Sequence, residues 1–207
     1  DKEKTVIKDP ESVGMSADHL SLIDEVMERS IREKMMKGMV TLVARHGKVV
    51  QFKAYGEARE GVPMKTDAIF RFASMSKAVG AAAIMQLYDR GMVMPSDRLS
   101  DYIPAFADVK VAVPKVSGEV RLVPPKREIT IHDLLTMTSG ITAVKSENGW
   151  HPAAAYCARC YREAGIIDTM HPLAGSIGDL TDRIAGLPLA AHPGERWDYT
   201  NLSSIIL

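Results

Sequence analysis

The first third of the chain places one amphipathic helix directly before two short strands, and this order limits the folds that the chain can adopt. Apolar residues recur every three to four positions after Ser16, which predicts a helix that continues to Gly38. Residues 39–45 and 49–55 have strand-like composition, and residues 46–48 between them predict a hairpin turn. A helix followed by an antiparallel hairpin favours an α+β layer over repeated β-α-β units.

The remainder of the chain is predicted to be largely helical. Alanine and long apolar residues fill positions 77–89, and Gly91 stands where a C-terminal cap is expected. Thr130 and Asp133 form a variant of the capping box at the start of a second helix. Further segments are predicted as helices at residues 153–162 and 177–187 and as an exposed excursion with a small hairpin at 109–127.

The charge balance and the cysteine count exclude several classes of function. Lysine plus arginine number 26 and aspartate plus glutamate number 26, without a basic stripe, so we expect no nucleic-acid partner. No apolar run approaches the roughly 18 to 20 residues that span a bilayer. The only cysteines, Cys157 and Cys160, have a spacing found in redox pairs and in half of a zinc site. Because no second pair exists, we interpret them as ordinary thiols on a helix face and expect neither metal nor cofactor.

The main candidate for chemistry is the sequence Ser74-Met75-Ser76-Lys77 at the predicted start of a helix. Residues three apart share a helix face, so the Lys77 amine can reach the Ser74 hydroxyl. A serine hydroxyl becomes an effective nucleophile only when a neighbouring group takes its proton. Short patterns of this kind also arise by chance, and a serine N-cap followed by an exposed lysine is the alternative interpretation.

Four segments in the same order resemble the serine β-lactamase and penicillin-binding protein superfamily, with most similarity to class C β-lactamases and to family VIII carboxylesterases. Each segment matches one part of the family pattern. They are the hairpin at residues 40–50, the nucleophile segment at 68–77, a helix and turn at 131–141, and a Tyr-x-Asn preceded by Pro-Gly and Trp at 193–201.

The resemblance implies an α+β fold of the β-lactamase/transpeptidase type, with an antiparallel sheet flanked by helices and a helical domain beside it. Residues 1–66 would supply the N-terminal helix and the first two strands of the α/β domain, and residues 67–207 would supply the helical domain. The family's third segment, Lys-Thr-Gly or an equivalent, follows on a strand and carries the second oxyanion donor. It is absent here, so we expect that the chain is truncated before the C-terminal strands and that the missing segment completes the site.

The resemblance also assigns roles to individual residues. Ser74 would be the acylated nucleophile, and its backbone N–H would be one oxyanion donor. Lys77 and Tyr199 would transfer protons, and Asn201 would bind Lys77 or a substrate amide. Because tyrosine normally titrates near pH 10, a nearby ammonium group must lower the pKa of Tyr199 before it can act as a base.

Two further features concern the long stretch between Ser74 and Tyr199. Met137 stands where the family often has a histidine, which we interpret as a structural rather than a catalytic difference. The length of the stretch leaves room for a cap over the site. Its candidate lining residues are Trp150, Tyr156 and Tyr161, but for each of them ordinary core or surface packing is the favoured interpretation.

Several functions remain open on the sequence alone. We favour a serine hydrolase that acts on small-molecule esters, with a class C-type β-lactamase, a D-amino-acid peptidase and an acyltransferase as alternatives that use the same groups. A Ser-His-Asp hydrolase is disfavoured because Gly-x-Ser-x-Gly does not occur, and Gly175-Ser176-Ile177-Gly178 has the wrong spacing. A non-catalytic binding or assembly module of the same fold is another alternative. The chain opens without an apolar signal segment, and the sequence does not decide between a bacterial periplasmic, secreted or cytoplasmic compartment.

Overall fold

The computed structural model describes residues 7–144, 151–166 and 175–207, and the chain divides into two compact units, residues 1–71 and 72–207. The assignment of the chain to two domains at residue 66 stays a prediction. The elements of the first unit form one helix and one antiparallel sheet in the order β1-β2-β3. They are α1 (Ala17–Arg32), β1 (Gly38–Arg45), β2 (Lys48–Arg59) and β3 (Val62–Pro63).

The start of α1 is as predicted, but its end is not. The Ser16 side chain caps the helix by accepting the His19 N–H at 3.2 Å. The helix ends at Arg32, and Gly38 is the first residue of β1 instead of the helix terminator. A Cβ atom at Gly38 would collide with the backbone carbonyl of Glu57, so the glycine is required for close approach of the strands.

The predicted hairpin is confirmed. Gly38 pairs with Gly56 at the open end of β1 and β2, and Arg45 pairs with Lys48 next to the turn. The two turn residues have positive φ, 52° at His46 and 71° at Gly47. Positive φ at both positions is the geometry of a type I′ turn, whose twist matches that of the flanking strands.

The second unit is mainly helical and contains one small antiparallel hairpin. Its core is one apolar cluster whose buried members extend from Val93 to Ile206 and include Leu134, Tyr161 and Leu180. The elements are α2 (Ser76–Asp89), α3 (Leu99–Tyr102), β4 (Val111–Pro114), β5 (Val120–Val123), α4 (Ile131–Leu135), α5 (Pro152–Glu163), α6 (Ile177–Ala185) and α7 (Asn201–Ile206).

The hairpin of β4 and β5 confirms one part of the prediction for residues 109–127 and corrects another. The two strands pair antiparallel, as expected. Residues 115–119 and 121–122 are exposed as predicted, but Val111 and Ala112 are buried, so the β4 end of the segment is not part of an exposed excursion. The Ala112 N–H donates to the Leu189 carbonyl, and the Leu189 N–H donates to the Lys110 carbonyl. This contact with a distant segment adds β4 to the core.

The predicted capping box is confirmed, and its buried carboxylate also forms an ion pair with the half-exposed Arg127. Thr130 accepts the Asp133 N–H, and Asp133 accepts the Thr130 N–H in return. The Asp133 side chain is 1% exposed and also accepts two hydrogen bonds from the Arg127 guanidinium, at 2.5 and 2.8 Å. Burial opposes ionisation of this carboxyl, but the hydrogen bonds from Arg127 and Thr130 outweigh it and lower the pKa of Asp133.

The other helix predictions hold within a few residues. The helix α5 begins one residue before and ends one residue after its predicted range. The helix α6 begins as predicted and ends two residues before its predicted end. Gly91 follows α2 with φ of 69°, as expected of a residue just past a helix end. No helix among residues 7–144, 151–166 and 175–207 is long and apolar enough to cross a membrane.

Candidate active site

Ser74 lies in a single 3₁₀ turn, Ala73–Met75, that leads directly into α2. Ala73 has φ of 47°, a left-handed conformation that is uncommon for residues with a Cβ atom. Strained backbone next to an exposed serine is frequent at functional sites, where the surrounding structure maintains it. The turn exposes the Ser74 side chain at the positive end of the α2 dipole.

Lys77 lies one turn further along and contacts two of the candidate residues. Its Nζ atom donates to Ser74 Oγ at 3.1 Å and to Asn201 Oδ1 at 2.5 Å. The first contact agrees with the expectation that residues three apart share a helix face. The second joins α2 to the start of α7, across 124 residues of sequence.

Tyr199 completes the group and contacts both Ser74 and Lys77. A hydrogen bond of 2.7 Å joins its hydroxyl to Ser74 Oγ, and Lys77 Nζ lies 4.9 Å from the centre of its ring. The side chains of Lys77 and Ser74 hold the pKa of the Tyr199 hydroxyl below its ordinary value of 10. The structure thus brings all four sequence-predicted residues together.

The segment that carries Tyr199 leads directly into α7. Thr200 is the N-cap of α7, and its side chain accepts the Leu202 N–H at 3.2 Å. The Trp197 ring lies 6.3 Å from the Tyr199 ring, and both side chains are exposed. An exposed aromatic pair beside a nucleophile offers an apolar wall for a substrate.

A cavity of about 470 Å³ adjoins Ser74 and Lys77. On the α2 side it is lined by small residues and by Ile84, and on the α7 side by Asn201 and Ile205. Among the residues that the structure describes, no histidine lines this cavity. The Ser74 hydroxyl and the Lys77 amine line the cavity, and the Tyr199 phenol contacts Ser74 Oγ directly, so these three are the candidate groups for nucleophilic catalysis.

Comparison with known proteins gives the family. The family model described as Beta-lactamase matches residues 21–207. The chain belongs to the β-lactamase family. Its mixed α/β structure, with antiparallel sheets and helices, is a β-lactamase/transpeptidase-like fold.

Individual relatives of this β-lactamase family chain have several activities. Esterase EstB of Burkholderia gladioli is 32% identical over 196 residues, which are 93% of this chain and 45% of that protein. The solved structure of EstCE1, a hydrolase with promiscuous acyltransferase activity, has a TM-score of 0.72 at 26% identity and is matched over 90% of this chain and 45% of its own. Simvastatin synthase (LovD) from Aspergillus terreus has a TM-score of 0.68 at 22% identity, with 92% and 48% covered, and shows the same fold. The chain spans less than half the length of these curated and structural relatives.

Two of the three candidate cap residues, Tyr156 and Tyr161, do not line the cavity beside Ser74. Tyr161 is fully buried in the core and donates to the Pro188 carbonyl at 3.2 Å, which confirms the packing interpretation and rules out the lining one. Tyr156 packs against the same core, with the Arg159 guanidinium 5.4 Å from its ring centre. Trp150 lies outside the described residues.

The two cysteines lie on α5, as expected. Both are free thiols, Cys157 buried and Cys160 half-buried. Burial raises the pKa of Cys157 to about 12, which disfavours the thiolate needed for redox or metal chemistry. Among residues 7–144, 151–166 and 175–207, no cluster of three or more metal-binding side chains occurs.

Sequence reasoning missed residues that shape the site without reacting. Gly80 and Ile84 lie on the same face of α2 as Lys77 and line the cavity. Their helical spacing from Lys77 was a usable signal. Thr142 and Asp198, which lie beside the Tyr199 segment, have no such signal because they are far apart in sequence.

Proposed function

We propose that the protein is a serine hydrolase that forms an acyl-enzyme on Ser74, and that its substrates are small carboxylic esters. The observation that carries the proposal is the convergence of Lys77 and Tyr199 on the Ser74 hydroxyl, at 3.1 and 2.7 Å. Groups within about 2.6 to 3.2 Å of a hydroxyl are close enough to take its proton.

In the proposed first half-reaction, Tyr199 acts as its phenolate. The phenolate oxygen accepts the Ser74 proton while Ser74 Oγ bonds to the ester carbonyl carbon. The tetrahedral intermediate then expels the alkoxide, which takes this proton from Tyr199 and leaves as the alcohol. The Ser74 N–H at the helix start serves as one donor to the oxyanion. In the second half-reaction, Tyr199 removes a proton from water while the water oxygen bonds to the acyl carbon. The bond from that carbon to Ser74 Oγ then breaks, Ser74 Oγ takes the proton from Tyr199, and the acid leaves.

Lys77 has an electrostatic role in this scheme. A positive charge close to the Tyr199 hydroxyl favours the phenolate, in agreement with the lowered pKa of Tyr199. Asn201 accepts a hydrogen bond from Lys77 and so holds the ammonium group between α2 and α7. Tyrosine is therefore the proposed base, and lysine the group that makes it effective.

Two observations favour esters over β-lactams. The similarity to a protein named Esterase EstB supports ester hydrolysis. The cavity beside Ser74 is lined largely by small or apolar side chains of α2 and α7, which suits an acyl chain. The Tyr-x-Asn pattern favours the second candidate, a class C-type β-lactamase or D-amino-acid peptidase, because Asn201 can also bind a substrate amide.

Turnover of p-nitrophenyl butyrate should be compared with that of a chromogenic cephalosporin. The protein used is the complete gene product that contains this chain, with Ser74→Ala as the control. We expect ester hydrolysis at the higher kcat/KM and its loss in the control. Faster cephalosporin turnover would replace the esterase proposal by the β-lactamase one. Activity that survives Ser74→Ala would refute the proposed nucleophile.

A further inference from the structure

We infer that Thr142 is a positioning residue for Tyr199. Thr142 Oγ1 donates to the Asp198 carboxylate at 2.6 Å. The Thr142 carbonyl accepts the Thr200 hydroxyl at 3.4 Å, a weaker contact. Thr142 thus binds both neighbours of Tyr199. Its side chain binds Asp198, and its carbonyl binds Thr200. This inference rests on the proposed role of Tyr199 as the base.

Thr142 is suited to this role because it is itself held in place. Its side chain is fully buried, and its backbone contacts the hydroxyl of the buried Tyr161. The neighbouring Gly140 accepts the Ala190 N–H at 2.7 Å. Gly140 has φ of 86°, and a Cβ atom there would collide with the Ala191 carbonyl, so this close contact depends on glycine. Thr142 therefore belongs to a rigid part of the core.

The segment of residues 137–142, which contains Thr142, contacts the chain around Tyr199 at two further points. The Asp198 N–H donates to the Met137 carbonyl at 2.9 Å. The buried hydroxyls of Ser139 and Ser203 lie 3.1 Å apart and join the turn to α7. The segment of residues 137–142 thus forms several hydrogen bonds that hold the chain around Tyr199 in place.

Tyr199 needs such support because its ring is only partly packed, between the Trp197 ring and Lys77. The side chain is 44% exposed, so its direction depends on the backbone of residues 198–200. A tyrosine hydroxyl lies about 6.5 Å from its Cα atom, so a rotation of about 10° moves it by about 1 Å, enough to cost about 100-fold in rate. Loss of the Thr142 hydroxyl would release the Asp198 end of this segment and allow that movement.

The test compares three variants of the complete gene product. Thr142→Val keeps the side-chain shape but removes the hydroxyl, and Thr142→Ser restores the hydroxyl. Thr181→Val is the matched control, because Thr181 is also buried and donates to a helix carbonyl, that of Ile177, at 2.9 Å. We expect Thr142→Val to lower kcat for p-nitrophenyl butyrate by about 10- to 100-fold with KM nearly unchanged. Thr142→Ser should recover most of kcat, and Thr181→Val should lower only Tm.

A second variant approaches the same hydrogen bond from its other end. Asp198→Ala should lower kcat as Thr142→Val does, and the double variant should lose little more than either single one, because the two side chains share one interaction. This comparison keeps the inference testable if Thr142→Val does not fold.

The outcomes separate the inference from the proposed function. A wild-type protein without esterase activity overturns the proposed function and the role of Thr142 with it. An active wild type with unchanged kcat in Thr142→Val and Asp198→Ala overturns the positioning role alone. Equal losses in Thr142→Val and Thr142→Ser would also overturn it, since the hydroxyl would then not be the cause.

Discussion

Replacement of Asp133 by asparagine is expected to destabilise the unit of residues 72–207. The Asp133 carboxylate accepts two hydrogen bonds from Arg127 and others from Thr130 and Thr138. Asparagine has the same shape, but its amide group presents donors to groups that are donors themselves. Each of the two charge-assisted bonds to Arg127 contributes about 1.5 kcal/mol. This value is at the low end of the range because the half-exposed Arg127 can bind water in the variant. We therefore expect the free energy of unfolding to fall by about 3 kcal/mol. That corresponds to a fall in Tm of about 6–12 °C.

The effect should depend on pH in a defined direction. The folded-state pKa of Asp133 is lowered, so the folded protein binds its proton less tightly than the unfolded chain does. The stabilisation is then fully present above the unfolded pKa of about 3.9 and is lost as pH falls through the folded pKa. The difference between wild type and Asp133→Asn should therefore be constant from about pH 5 to 8 and shrink below about pH 4.

Thermal and urea unfolding followed by tryptophan fluorescence would measure both effects, because Trp150 and Trp197 both belong to this unit. The matched control is Asp179→Asn, which changes the equivalent exposed residue in the capping box of α6. It should cost clearly less than Asp133→Asn. Equal losses in the two variants, or a difference that grows towards low pH, would refute the reasoning.

Three further predictions concern reactivity. Tyr199→Phe should slow acylation of Ser74 by a fluorophosphonate probe by about 10²- to 10⁴-fold, and a loss below tenfold would argue against tyrosine as the base. Lys77→Met should remove the charge that lowers the pKa of Tyr199, so the rising acid limb of kcat/KM against pH should move to higher pH; an unmoved limb would contradict this. Cys160 should react with a disulfide reagent at pH 8 well before Cys157, whose pKa is raised to about 12, and equal rates would show that Cys157 is accessible.

The parts of the site that sequence could predict are those set by local spacing or by a family pattern. The approach of Lys77 to Ser74 follows from the helical repeat, and it is found at 3.1 Å. Tyr199 and Asn201 are predicted only by resemblance to the family, because no local rule relates either residue to Ser74, which is 125 residues before Tyr199. The catalytic roles of all four residues stay predictions until they are tested.

The errors in the fold arose where a distant contact overrides a local signal. Gly38 resembles a helix terminator, but it is fixed by the approach of the Glu57 backbone. Residues 109–127 have prolines and polar alternation typical of an exposed segment, yet pairing with Leu189 buries Val111 and Ala112. Thr142 has no sequence signal at all, because its importance arises only from the chain that returns beside it.

The most direct test of the central claim is the intact mass of the gene product that contains this chain, before and after treatment with a fluorophosphonate serine probe. The proposed activation of Ser74 by Lys77 and Tyr199 predicts a single adduct, located on Ser74 by peptide mapping and absent from Ser74→Ala. A folded protein that gains no adduct would contradict the claim and favour a non-catalytic member of the β-lactamase family. An adduct that persists in Ser74→Ala would contradict it by showing that another residue is the activated nucleophile.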